Sequence, residues 1–217
     1  MKLTNRLVAI FFAILITAVI GISGCASTGM ERSTDVRTAM QTMDNEIKLI
    51  VVQLDATGAS LAELIKPGQS DVKKAFELYT ENIASLAKKE GVFNKHADEM
   101  AARGNDYMNE WKKADSKYEN SAIQELSEER RATFGELYGR IARNSIGAKS
   151  AFTAYVTDAK EVQRYLSNDL TTKGVSAIAP IARKVVDDGN NLKYTITDIQ
   201  TAIEGARAEM AQDGIRF

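Results

Sequence analysis

From Val36 onward the apolar residues recur at intervals that alternate between four and three. The series is Val36, Met40, Met43, Ile47, Ile50 and Leu54, then Leu61 and Leu64. This is a heptad seam, an inward stripe returning about every 3.5 residues, as in helices that pack along their whole length. Pro67-Gly68 closes the first helix, because Pro disfavours helix in the residue before it and Gly turns the chain. The second seam reads Val72, Phe76, Tyr79, Ile83, Leu86, Phe93, Ala97, Met100, Tyr107, Trp111, Ala114 and Tyr118. Ser70 is its expected N-cap, with Asp71 favourable beside the positive end of the helix dipole. Glu90 and Gly104 stand where the repeat calls for apolar residues. Gly91 and Gly104 each lower helix propensity by up to about 1 kcal/mol relative to Ala. The register passes through both, so one long helix is expected.

Asn120 interrupts the pattern, and Ser121 with Gln124 has capping-box spacing. The third helix opens out of phase at Ile123 and Leu126, a slip that resembles a stutter. It then settles into Phe134, Tyr138, Ile141, Ala148, Phe152, Tyr155, Ala159, Val162 and Leu166. Residues 168–174, NDLTTKG, form the last turn. The fourth seam is Val175, Ile178, Ala182, Val185, Gly189, Leu192, Ile196, Ile199, Ile203, Ala206 and Met210. Pro180 either sits in its first turn or kinks it. Gly135 and Gly139 have small-xxx-small spacing, for which ordinary helix packing is explanation enough.

These elements define an all-α fold: an elongated antiparallel bundle of four long helices with coiled-coil packing, the central hairpin longest. The outer helices, near 37 residues, would measure about 55 Å, and the central pair, near 48, about 72 Å. The excess is expected at the Asn120 end, where the first helix also begins. The hairpin tip would span residues 107–131.

Ahead of the seams stands LVAIFFAILITAVIGISGC, Leu7 to Cys25. Lys2 and Arg6 form a positive n-region, Leu7 to Ile20 is apolar apart from one Thr, and Ile22-Ser23-Gly24-Cys25 closes the segment. The form is that of a secretory signal peptide. From Leu7 to Ile22 it falls short of the ~20 residues that span a bilayer. With its Ile-Ser-Gly-Cys ending it resembles the bacterial lipoprotein signal, whose lipobox is an aliphatic residue, two small residues and Cys. The resemblance implies cleavage before Cys25, a diacylglycerol on its thiol and an acyl chain on its new amino group. Two or more chains give stable membrane attachment where one does not. Asp after the Cys retains such proteins at the inner membrane in proteobacteria. Here the residue is Ala26, so the resemblance implies the periplasmic face of the outer membrane. The organisation is then a signal over 1–24, a lipidated tether over 25–33 and one helical domain over 34–213.

Composition narrows the chemistry. Removing residues 1–24 from the 217 leaves 193, and it takes two of the 28 basic residues and none of the 29 acidic ones. The slightly acidic remainder lacks the basic face that nucleic acid requires. With its only cysteine acylated, the chain has no disulfide and no thiolate metal site. His96 is the only histidine, which excludes a His-rich metal centre and a His-based triad. Flanked by Lys95 and Asp98, it reads as part of a solvated face. No Walker loop and no Gly-x-Ser-x-Gly is present. Acidic pairs such as Glu128-Glu129 and Asp187-Asp188 have basic neighbours and need no catalytic explanation. No enzymatic activity and no cofactor beyond the acyl chains are expected.

One cluster stands out, at the tip: Trp111, Lys112, Lys113, Lys117, Tyr118, Arg130 and Arg131. Rings beside cations suit a lipid–water interface. Trp111 and Tyr118 also continue the seam, which assigns them to the core, and interleaved acids offset the charge. The mature chain resembles, over most of its length, the all-helical lipoproteins of Gram-negative bacteria that carry domains of unknown function. The expected role is a periplasmic scaffold or adaptor, anchored to the membrane by lipid and presenting a rod to an envelope protein. Its seams could also pair two copies as a homodimer. The alternative is a membrane-shaping or membrane-binding module loosely like BAR domains. A lipid carrier has only Met40, Met43, Met100 and nearby rings behind it, which read more simply as packing.

Overall fold

The computed structural model describes residues 28–212, so the apolar leader and the Ile22–Cys25 lipobox lie outside the described residues. Four helices follow one another: α1 (Gly29–Leu64), α2 (Val72–Asp115), α3 (Ser121–Asn168) and α4 (Thr172–Gln212). Their starts are set by short polar side chains. Thr28 caps α1 in a reciprocal box, its hydroxyl accepting from Glu31 N–H while Glu31 accepts from Thr28 N–H. This box starts the helix at Gly29, so residues 29–33 are helix rather than tether. Asp71, not Ser70, caps α2 by accepting from Lys74 N–H. Asn120 caps α3, taking the N–H groups of Ala122 and Ile123, and Ser121 is already helical. In α4 the Thr171 hydroxyl accepts from Gly174 N–H.

Between α1 and α2 the chain reverses at Pro67-Gly68, where Gly68 adopts φ +79°, a conformation that side chains with a Cβ resist. Pro180 lies well inside α4 and not in its first turn. It faces solvent, where water can satisfy the carbonyl its missing N–H leaves free.

Every neighbouring pair runs antiparallel. Gln53 of α1 donates to Asn82 of α2, and Lys89 lies 3.4 Å from Glu46. Tyr79 of α2 donates to the Ala159 carbonyl of α3, and Trp111 reaches Ser127. Asp55 and Asp44 of α1 meet Lys193 and Gln200 of α4. Each helix thus touches chiefly two others in an up-down-up-down square.

The seams form the core. Val36 through Leu64, Tyr79 through Met100, Phe134 through Leu166 and Val175 through Ala206 contribute their inward residues to one buried cluster. Large apolar side chains buried this way contribute roughly 1.5–3 kcal/mol each. The gaps in the repeat have local solutions. Thr57 and Ser145 are buried and donate to the Gln53 and Ile141 carbonyls of their own helices. Glu90 accepts from Thr153 across the α2–α3 contact. Gly104 is buried because the Tyr138 ring of α3 occupies the space of its absent side chain while the Tyr138 hydroxyl donates to the Met100 carbonyl. Gly189 likewise admits the Tyr155 ring. Asp44, also buried, is held by Lys48 at 2.8 Å and Gln200 at 2.9 Å. No helix among the described residues is long and apolar enough to cross a membrane.

Two measurements check this packing. Gly104→Val forces the Tyr138 ring aside and should cost about 1–3 kcal/mol in urea unfolding. Gly91→Ala, with open space around the glycine, should instead stabilise by up to about 1 kcal/mol. Equal effects at the two sites would contradict the packing described.

Tyr155 supplies the second. Its hydroxyl is buried without a hydrogen-bond partner, and its pKa is pushed up to about 12, by burial first and by the Asp188 carboxylate second. The unfolded phenol ionises near 10, so stability is full below that pH and falls as the pH rises toward 12. Tyr155→Phe should be neutral or stabilising at pH 7 and should flatten the alkaline fall. A large loss of stability at pH 7 would contradict it.

Candidate functional site

The hairpin that joins α2 to α3 is where the four-helix core runs out. Asp35, Thr38 and Thr42 of α1 line a groove with His96, Glu99 and Arg103 of α2. Carried back along α1, that register puts Gly29 about level with Asn109, so roughly two turns of α2 pass beyond it. At the other outer helix, Gly189 sits on Tyr155. Continued antiparallel, this puts Gln212 about level with Ala132, and the first three turns of α3 stand clear of it. The central hairpin therefore overhangs both outer helices, at the Asn120 end where α1 begins.

Toward this end large rings fill the contact between α2 and α3. Tyr138, Phe134, Tyr107 and Trp111 form a ladder with centroids 5.6, 5.4 and 5.4 Å apart, the Tyr107–Phe134 step edge-to-face. Beyond the ladder a polar clasp joins the helices. Trp111 Nε1–H donates to Ser127 Oγ at 2.8 Å, and the Ser127 hydroxyl donates to Asp115 Oδ1. Arg131 Nε donates to Asp115 Oδ2 at 2.7 Å. Asp115 is buried, so both of its oxygens are satisfied away from bulk water.

The clustered tip residues separate into two groups. Trp111 is half-buried in the ladder, and Arg131 is committed to Asp115. Lys113 pairs with Glu110, whose carboxyl is held below its usual range by that hydrogen bond first. Lys112, Lys117, Tyr118 and Arg130 face outward. The expectation that Tyr118 continues the seam is corrected: α2 ends at Asp115, and Tyr118 lies in the turn, 42% exposed. Tight turns from Lys117 N–H to Ala114 and Tyr118 N–H to Asp115 carry the chain off the helical register.

Sequence reasoning missed the tip's apolar surface. Ile123 and Leu126 are 49% and 58% exposed, because this first stretch of α3 has no helix pair to face. Their out-of-phase positions were the available signal. The clasp residues Asp115 and Ser127 carried no such mark. His96, half-buried at the edge of the 300 Å³ polar groove, bonds to Glu99 through Nδ1 at 3.1 Å. That contact is the main cause of a lowered Glu99 pKa. Among the described residues no cluster of His, Cys, Asp and Glu could hold a metal ion.

No protein family, no curated protein and no solved structure matches the chain.

The clasp makes its own prediction. Asp115→Ala leaves the Arg131 guanidinium and Ser127 without their acceptor, and should cost roughly 1–3 kcal/mol. Trp111 emission should shift red as the tip loosens. An unshifted spectrum at unchanged stability would show that the clasp does not order the tip.

Proposed function

We propose that this chain is a non-enzymatic scaffold or adaptor, held at the periplasmic face of the outer membrane through an acylated Cys25 and offering a helical rod to an envelope protein. The observation that carries the reading is the junction between anchor and rod. The lipobox ends at Cys25 and the capping box begins at Thr28, so the sequence signal for lipid attachment abuts the start of a rigid helix. A flexible linker would let the body drift. Here the first helical turn follows Cys25 by only a few residues, and α1 extends for about 54 Å from that point. Rod faces of this length suit lateral contact with another protein. The acyl groups are the only non-protein component the reading requires, and it involves no nucleic acid.

The membrane-binding alternative draws on the exposed Tyr118, Ile123 and Leu126 at the same end. It is compatible with the scaffold and adds a second contact to it.

Metabolic labelling with an alkyne fatty acid tests the anchor. The wild-type chain should take up label and fractionate with outer membranes, whereas Cys25→Ala should remain unlabelled. Ala26→Asp should stay labelled and move to the inner membrane. Label retained by Cys25→Ala, or none on the wild type, would refute the anchor.

A further inference from the structure

We infer that the exposed apolar residues of the hairpin tip seat in the same lipid surface that holds the acylated Cys25, so that one end of the bundle is fixed by two contacts. The inference rests on the proposed anchor and adds to it an orientation for the rod.

Reach is the first support. Thr28 follows Cys25 by three residues, which limits their separation to about 11 Å even fully extended. Thr28 caps α1, and the register of the groove between Asp35 and Arg103 sets the first turn of α1 about two turns short of the end of α2. Glu110 feels the charge of Arg32 across the α1–α2 contact. An acyl group on Cys25 therefore brings the bilayer to the end of the bundle that carries the tip, and away from the Pro67 end.

Exposure is the second. Met30 is 77% exposed in the first turn of α1, and Tyr118, Ile123 and Leu126 are exposed in the turn and the start of α3. Ile123 and Leu126 are three apart and share one helical face. Exposed apolar side chains beside a lipid anchor are what a headgroup–acyl boundary accepts.

Charge decides the kind of contact. Lys113 and Arg131 are already paired with Glu110 and Asp115. The outward Lys112 and Lys117 are offset by exposed Glu119, Glu125 and Glu129. The tip therefore gains by burying apolar surface and not by attraction to anionic headgroups, while the lysine stems can lie along the patch with their ammonium groups in water. The clasp of Trp111, Ser127, Asp115 and Arg131 holds the patch in place.

Trp111, the single tryptophan, reports on this contact. The processed full-length protein is reconstituted in phosphatidylethanolamine vesicles containing brominated lipid, with and without phosphatidylglycerol. The mass of its N-terminal peptide is measured on the same sample. Trp111 emission should be quenched to a similar degree in both vesicles. Most of that quenching should be lost in the variant carrying Tyr118→Ser, Ile123→Ser and Leu126→Ser, whose helicity, checked by circular dichroism, should be unchanged because none of the three is in the core. Leu126→Ser alone, with a partial loss, guards against a triple variant that fails to fold.

Unquenched Trp111 on a chain with acylated Cys25 overturns the tip contact alone and leaves the patch to a protein partner. Equal quenching of wild type and folded variants also overturns it, because the anchor then brings Trp111 near lipid without the patch. Quenching confined to the anionic vesicles overturns the apolar contact. An unmodified Cys25 overturns the anchor and this inference together.

Discussion

Four antiparallel helices share one core only while each returns an apolar side chain inward every three or four residues. That register is the constraint on which the rest of the molecule depends. It runs from Val36 to Leu64 in α1, from Tyr79 to Met100 in α2, from Phe134 to Leu166 in α3 and from Val175 to Ala206 in α4. Where the outer helices stop, the hairpin must stabilise itself. A ladder of rings leads up to that point, and beyond it a buried carboxylate receives Ser127 and Arg131. Past that clasp no inward face remains, and Ile123 and Leu126 point to solvent.

The same constraint accounts for the polar and small residues inside. A hydroxyl at a seam position is tolerated when it can donate to its own helix, as Thr57 and Ser145 do. A glycine there admits a ring from the facing helix, as Gly104 admits Tyr138 and Gly189 admits Tyr155. These are knobs entering holes, and they join α2 to α3 and α3 to α4. Gly104 is thus a packing position within a continuous helix. Asp44 is the costlier case, a buried charge held between α1 and α4 by Lys48 and Gln200.

The fold was legible in the sequence because period and burial coincide. The seam positions of α1, and those of α4 from Val175 to Ala206, are buried, and the overhang at the Asn120 end follows from unequal helix lengths. Helix starts were less legible: Asp71 and Asn120 take the caps expected of Ser70 and Ser121, and Thr28 starts α1 within the stretch expected to be a tether. The site was legible in part. The cluster of Trp111, Lys112, Lys113, Lys117, Tyr118, Arg130 and Arg131 could be read from the pattern, but not which of them face outward. The clasp could not, because Asp115 is buried only once Arg131, sixteen residues later, folds back on it. Tyr118 misled for a related reason. It keeps heptad spacing after the helix has ended, and spacing has no meaning without the helix.

We propose that the end of the rod that begins at Thr28 is also the end that meets lipid. Spin labels on Ser116→Cys at the tip and Ser70→Cys at the far turn, both exposed, test it in the lipidated protein on vesicles doped with a nickel-chelating lipid. The two positions lie about 66 Å apart along α2. An upright rod on a seated tip predicts strong relaxation of the Ser116 label and none of the Ser70 label. Comparable relaxation at both sites would mean that the rod lies along the membrane and would contradict the claim.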